Sequence, residues 1–310
     1  MAQVKTGLVS VTFRQKSVEE IAALTAEAGL SGVEWGGDVH VPPGDREAAR
    51  RAAQLTRQAG LEVLSYGSYY RCQPGEDFTP VLESALALGA PLIRVWAGTK
   101  PWEEASPQER EALAVQLGQA VDQAAAAGLA LGLEYHRGTA TQTKEGARAL
   151  LEAVGRPGLT TYWQPNPDIS QGEQLAEIDA LLPWISTVHV FTWTGANVRH
   201  PLEAGAARWE EYLTHLAPAQ KERCLLLEFV QEDSEEAFRR AVPDLMRELD
   251  KASHRQSNTG FYFGAPKPAA GAEGFSQTME YVGDVLEAAV PDEPALIRLK
   301  NRFYVGDELE

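Results

Sequence analysis

Cysteine is scarce in this chain of 310 residues, with Cys72 and Cys224 the only two. Neither belongs to a Cys-x-x-Cys pair, so no disulfide framework or zinc-finger arrangement is available, and both read as reduced thiols. Also missing is any run of about 18 uncharged apolar residues, the length a membrane span needs. The start MAQVKTGLVSVTFRQ lacks the charged head, apolar middle and cleavage site of an export signal, which points to a cytoplasmic protein. Basic residues are outnumbered, 28 Lys and Arg against 44 Asp and Glu, giving a net charge of −16. Such an excess repels phosphate backbones and counts against a nucleic-acid partner. The hydrophobic share of 44%, by contrast, excludes a disordered chain. At this length either two ordinary domains or one large α/β barrel is open.

What is present is a repeat. An Ala-rich amphipathic helix stops at a glycine and a short apolar strand follows, in AEAGLSGVEW, RQAGLEVLSY, LALGAPLIRVW and AAAAGLALGLEY. The glycines are Gly29, Gly60, Gly89 and Gly128, with Gly158 as a looser fifth copy, at spacings of 31, 29, 39 and 30. Glycine takes the left-handed conformation past a helix end, so each marks a helix-to-strand turn. Ser17 with Glu20, and Ser106 with Pro107 and Glu109, read as capped helix starts. Strand cores fall near Leu8, Val33, Val63, Ile93, Leu133, Tyr162, Val188 and Leu227. Eight such units fill about 250 residues, the size of a (β/α)8 TIM barrel. No Gly-x-Gly-x-x-Gly follows the first strand, which removes the main argument for an open dinucleotide-binding sheet.

The last barrel helix, capped near Asp233 and Ser234, is expected to end around Leu249. Residues 251–310 leave the repeat, and their Gly-, Pro- and aromatic-rich texture with Val-Gly-Asp turns predicts a small β-rich C-terminal module after a barrel of residues 1–250.

Barrel enzymes place their chemistry at the C-terminal ends of the strands, so the polar residues that end each strand and point inward carry the most information. Period-2 alternation sends Leu129, Leu131 and Leu133 outward on the fifth strand and Glu134 inward. The same parity turns Gln164 inward on the sixth strand, His189 on the seventh and Glu228 on the eighth. Two carboxylates, an imidazole and an amide oxygen form a hard, oxygen-rich set. It suits one divalent metal ion, manganese first, with magnesium, cobalt or zinc as alternatives. Weaker candidates surround the set. Glu34, ending the second strand, and His136, two residues beyond Glu134, are read as substrate contacts, and His40 lies in the loop after Glu34. Trp35, Tyr66, Trp96 and Trp193 offer an apolar wall for sugar C–H faces, against the alternative of core packing. Arg94 and Arg137 are anchors for an anionic group or members of ion pairs.

LEYHRGT, TYWQPNPD, STVHVF and LLLEFV resemble the strand-end motifs of the sugar phosphate isomerase/epimerase family, the xylose isomerase-like TIM barrels. GVEWGGDVHVPPGD and LIRVWAG resemble its second and fourth strands, and the likeness covers about residues 5 to 250. The resemblance implies one divalent metal bound through Glu134, His189 and Glu228. Gln164 stands where the family has Asp, and Pro167 where a His often follows. It also implies metal-dependent isomerisation or epimerisation of a small carbohydrate or its phosphate. Glu134 and Glu228 then serve as the acid/base pair on either side of an enediolate.

SNTGFYFGAP, MEYVGDVLE and RLKNRFYVGDELE resemble the C-terminal domain of collagenase-like peptidases, over roughly residues 253 to 310. That domain continues past the Val-Gly-Asp turn where this chain stops, so the module is expected to be incomplete or to borrow a strand from another chain; a stabilising or dimerising extension is the preferred reading, and a homo-oligomer is open. Two other functions remain in view. Gln164 in place of Asp supports a non-catalytic sugar-binding or scaffold barrel. An abasic-site endonuclease uses a related barrel but needs more His and Asp ligands than SYGSYYR and six histidines supply.

Overall fold

A computed structural model describes residues 4–217, 222–258, 283–287 and 296–299. Eight parallel strands close a barrel, the first seven being β1 (Val4–Val9), β2 (Gly32–Gly36), β3 (Glu62–Gly67), β4 (Leu92–Val95), β5 (Ala130–Leu133), β6 (Leu159–Trp163) and β7 (Ile185–Val190). Two short strands, β8 (Thr192–Thr194) and β9 (Val198–His200), make an antiparallel hairpin before the eighth barrel strand, β10 (Arg223–Leu227). Around the ring the order is β1-β10-β7-β6-β5-β4-β3-β2, so this is an α/β TIM barrel.

Helices α1 (Val18–Glu27), α2 (Arg46–Gln58), α3 (Thr79–Leu88) and α4 (Pro107–Ala126) fill the first four crossovers. They are followed by α5 (Lys144–Val154), α6 (Gln171–Leu181), α7 (Ala206–Leu216) and α8 (Glu235–Asn258). Ser17 and Ser106 head full capping boxes, and Ser170 with Glu173 adds a third. Gly29, Gly60, Gly89 and Gly128 all hold positive φ, between 73° and 78°, where the repeat needs a left-handed turn. At the fifth copy the work is divided: Gly155 caps α5, and Gly158 turns the chain into β6.

α8 corrects one expectation. It runs on to Asn258, past Leu249, because the segment DKASHRQSN holds no Gly or Pro to stop it. The chain divides into two compact units, Met1–Ala252 and Ser253–Glu310. In the second, β11 (Gly283–Glu287) pairs antiparallel with β12 (Leu296–Leu299). The motifs resembling collagenase-like peptidases fall for the most part outside the described residues. Among the described residues no helix is long and apolar enough to cross a membrane.

Most of the core lies between strands and helices, where Leu131, Leu133, Ile93, Val95, Trp163 and Val188 are buried with the apolar stripes of the helices. The barrel interior holds a small apolar cluster of Val9, Val11, Leu64 and Leu226. Trp35 and Tyr66 belong to the outer layer, not to a substrate wall: the Trp35 indole donates to Thr56 Oγ1 at 3.0 Å and the Tyr66 hydroxyl to Val41 O at 2.9 Å. A register shift where β2 pairs with β3 breaks strict alternation on β3. Leu64 therefore fills the interior while the next residue, Ser65, still reaches the inward side chain of Glu34.

Candidate active site

Beside that apolar cluster the barrel interior is charged. Arg94, inward on β4 between Ile93 and Val95, donates from Nε to Glu34 Oε1 at 2.8 Å and from Nη1 to Glu134 Oε2 at 2.7 Å. All three side chains are almost fully buried, with 3% or less exposed. The other oxygen of Glu34 accepts from Ser65 Oγ at 2.7 Å and from the Tyr162 hydroxyl at 2.8 Å. Tyr162 crosses the barrel to do this, and the space comes from Gly132, where a Cβ would lie 2.7 Å from the Tyr162 ring. Glu34 thus spends its acceptors beneath the cavity and does not line it.

Over this layer His189 Nδ1 is surrounded by oxygens. It lies 3.1 Å from Gln164 Oε1, 3.3 Å from Glu228 Oε2 and 3.6 Å from Glu134 Oε1. Gln164 Nε2 donates to Tyr135 O at 2.8 Å, which orients the amide with its oxygen toward the imidazole. Burial opposes a charge on His189, but the carboxylates of Glu228 and Glu134 outweigh it and raise its pKa to about 9. For Glu228 burial pushes the pKa up, and His189 and Arg94 bring it below the ordinary carboxylate value. Glu34 behaves alike, with Arg94 and His189 overcoming its burial.

Arg94, Glu134, Gln164 and Glu228 form the floor of a cavity of about 240 Å³ at the C-terminal ends of the strands, with His136 on its wall and His189 fully buried behind the floor. His136 is half-buried and tilts against Trp96 with ring centroids 4.7 Å apart. Trp96 and Trp193 do line the cavity. His40 does not: it is buried between Ser10 Oγ and Lys16 O, each 3.1 Å away. Arg137 stands at the rim, bonded to Asp168 and to Asn197 Oδ1. Tyr69, Tyr135, Phe191 and Phe229 complete the aromatic lining. Phe229, directly after Glu228, holds the left-handed φ of 46°, a strained setting for a bulky residue, with its N–H anchored on Thr12 Oγ1 at 3.0 Å.

The sequence profile of the Xylose isomerase-like TIM barrel matches residues 22–249. The chain belongs to that family. Among solved structures it is similar to the probable 3-DHS dehydratase AsbF of Bacillus anthracis, involved in petrobactin synthesis. The two are 19% identical with a TM-score of 0.67, over 78% of this chain and 98% of that one. L-ribulose 3-epimerase is 16% identical with a TM-score of 0.62, covering 86% of this chain and all of that one (100%). A xylose isomerase-like TIM barrel protein from Mycobacterium smegmatis, in complex with magnesium, is 14% identical with a TM-score of 0.61, over 80% and 97%. At such identities the likeness is one of fold. No curated protein matches the sequence.

Within this xylose isomerase-like barrel the donor set can be tested against a divalent ion. Adjacent donors around a six-coordinate ion with bonds of about 2.1 Å lie about 3 Å apart, close to the separations around His189 Nδ1. Arg94 takes Glu134 Oε2 and leaves Oε1 facing the cluster. The buried charges also fit: once His189 gives up its proton to bind, Glu34, Glu134 and Glu228 against Arg94 leave two negative charges for a dication to balance. Among the described residues no group of three His, Cys, Asp or Glu is already spaced as a metal site. The reason is chemical: the donor nearest His189 is the amide of Gln164, and Arg94 competes for Glu134. The residues fit a metal once those side chains close on it by a few tenths of an ångström.

Proposed function

We propose that the chain is a divalent-metal-dependent isomerase or epimerase that moves a proton at the carbon beside a carbonyl of a small polyhydroxylated compound. The observation that carries this reading is the ring of three oxygens, from the cavity-lining Glu134, Gln164 and Glu228, around the buried His189 Nδ1.

Glu134 Oε1, Gln164 Oε1, His189 Nδ1 and Glu228 Oε2 would hold the ion. A bound divalent metal polarises a substrate carbonyl and acidifies the neighbouring C–H. We assign Glu228 to take that proton: its carboxylate lies at the cavity floor, and Arg94 is among the cations that hold its pKa below the ordinary carboxylate value. Returning the proton from Glu228 to the neighbouring carbon, with the hydroxyl proton passing between the two substrate oxygens, gives isomerisation; epimerisation instead has Glu134 enter protonated and give its proton to the opposite face while Glu228 keeps the one it took. Arg94 fixes the rotamer of Glu134 throughout. His136 at the wall is placed to donate to a substrate oxygen. Glu34 serves beneath them, holding Arg94 and facing His189 Nε2 at 4.0 Å as its nearest carboxylate.

Calorimetric titration of the chelator-treated chain with manganese tests the reading independently of any substrate. It should bind about one ion per chain, and His189→Ala should weaken binding by about 10–100-fold. Binding below about 0.2 ion per chain would remove the basis of the proposal.

A further inference from the structure

After β7 the chain does not turn straight into its helix but runs first through the β8–β9 hairpin, whose base and tip are held by different means. At the base Thr192 is buried and donates from Oγ1 to Leu202 O at 3.2 Å. It packs so closely on Gly205 that a Cβ there would lie 2.3 Å from Thr192 Oγ1. The stretch from Thr194 to Val198, by contrast, is exposed. Between base and tip, Trp193 is the side chain of the hairpin that lines the cavity. Its ring centroid lies 4.3 Å from that of Phe191 and 6.0 Å from that of Phe229. Its buried indole N–H has no hydrogen-bond partner among the described residues, so ring contacts and no polar bond hold it there.

Two arginines fix the hairpin from opposite sides. Arg199, on β9, donates from Nη1 to Asp233 Oδ1 at 2.5 Å and to Val230 O at 3.4 Å, both after β10. Arg137, after β5, donates from Nη2 to Asn197 Oδ1 at 2.7 Å and from Nη1 to Asp168, after β6. β10, β7, β6 and β5 are consecutive in the closed ring, so these bonds stretch the hairpin along half of the cavity mouth. The tip needs such a hold. Ala196 and Asn197 stand at φ 61° and 58°, in the left-handed region. Asn tolerates that setting, but Ala is disfavoured there as glycine would not be. A strained conformation persists only where its surroundings enforce it, and the hydrogen bond that reaches this tip from outside the hairpin is the one from Arg137 to Asn197. The Arg137 and Asp168 side chains are 39% and 46% exposed, so solvent and salt screen the anchor and it can open without unfolding the barrel.

We infer that the β8–β9 hairpin is a lid on the cavity and that Arg137 is its latch, a positioning residue that acts through Asn197. With the latch closed, Trp193 stands on the cavity wall. When it is released, the tip turns away from the loops after β5 and β6 about the side rooted by Thr192 and Arg199, and Trp193 tilts with it. The mouth then widens for a ligand to enter or leave, a step that sets turnover in many enzymes. The inference goes beyond the proposed proton transfer and does not depend on it, because it concerns access to the cavity and not the chemistry at its floor.

Hydrogen–deuterium exchange of the full chain, read as protection factors at the amides of residues 193–200, measures the opening and needs neither metal nor substrate. Arg137→Ala should lower protection there by about threefold or more, while the amides of the barrel strands stay within about twofold of wild type. Asn197→Asp keeps a residue that tolerates the left-handed region and offers the guanidinium a second carboxylate. It should raise protection by about twofold or more, and the gain should vanish once Arg137→Ala is added. Acrylamide quenching of Trp193, taken as the difference between each chain and its Trp193→Phe counterpart, should rise by about 1.5-fold or more in Arg137→Ala. The inference is overturned if Arg137→Ala lowers hairpin protection by less than that threefold, if the barrel strands lose protection with it, or if quenching is unchanged. It is equally overturned if the Asn197→Asp gain fails to appear or survives the loss of Arg137. Manganese titration of the same chains separates this inference from the proposed function. A wild-type chain that binds no ion removes the proton-transfer reading and leaves the latch, whereas unchanged hairpin exchange beside normal manganese binding removes the latch alone.

Discussion

Arg94 Nη1 donates to Glu134 Oε2 at 2.7 Å, and this bond decides which oxygen of Glu134 faces the cluster around His189. The same guanidinium holds Glu34, so one buried cation organises two carboxylates from β2 and β5. Such a triad is costly to desolvate, and its value lies in geometry more than in stability.

Removing the cation should therefore expose the desolvation cost. Arg94→Met leaves Glu34 and Glu134 buried without a counter-charge and should destabilise the barrel by about 3–5 kcal/mol, measured by urea unfolding at pH 7.5. A loss under about 1 kcal/mol would show that the triad relaxes freely into water.

Gly67 gives an independent check on the same geometry. A Cβ there would lie 2.7 Å from both Arg94 Nη2 and Glu34 Oε1, so neither end of the ion pair could stay in place. Gly67→Ala should cost about 1–3 kcal/mol and weaken manganese binding through the displaced Glu134. Wild-type stability and affinity together would contradict the placement of Arg94.

Gln164 supplies a neutral oxygen where the family resemblance leads one to expect a carboxylate. Gln164→Asp adds a charge to the donor set and should tighten manganese binding by about tenfold or more in a calorimetric titration. Unchanged or weaker binding would mean that this position does not face the ion.

Away from the site, Glu177 on α6 is 4% exposed, and burial raises its pKa to about 7; its clearest partner is the Trp163 indole at 3.3 Å. The folded chain then binds a proton at Glu177 between about pH 4.5 and 7 that the unfolded chain has released, so this group's contribution to stability falls as pH rises through that window. The full loss is up to about 3 kcal/mol and is complete above about pH 7. Glu177→Gln should be more stable than wild type at pH 8, nearly equal to it at pH 4.5, and flatter in between. Parallel curves for the two chains would place the titration elsewhere.

The sequence was most legible where one physical rule acted alone. Helix caps at Ser17 and Ser106 and the turns at Gly29, Gly60, Gly89 and Gly128 are local, and they delimited the strands. Strand parity then placed Glu134, Gln164, His189 and Glu228 on one rim, and these side chains do meet. The same parity carried a signal for Arg94, since Ile93 and Val95 face outward on β4, but an arginine flanked by apolar residues gives no sign of which carboxylates will hold it. On β3 the inward Leu64 would by parity turn Tyr66 inward as well, but the strand shifts register and Tyr66 packs in the outer layer, which no residue in EVLSYG announces. His40 and Glu34 looked available in the sequence because neither their burial nor their partners, Ser10 and Lys16 for one and Ser65 and Tyr162 for the other, are neighbours in the chain.

The central claim is that Glu228 moves a proton at a substrate carbon beside a carbonyl. Incubating the manganese-supplemented chain with a panel of cyclic and open-chain polyhydroxy ketones in deuterated water, and following loss of the α-proton signal by NMR, tests it most directly. The account predicts exchange on at least one ketone with the wild-type chain. It also predicts a loss of about 10²-fold or more in Glu228→Gln, with an unchanged circular dichroism spectrum. Exchange that persists undiminished in Glu228→Gln would contradict it.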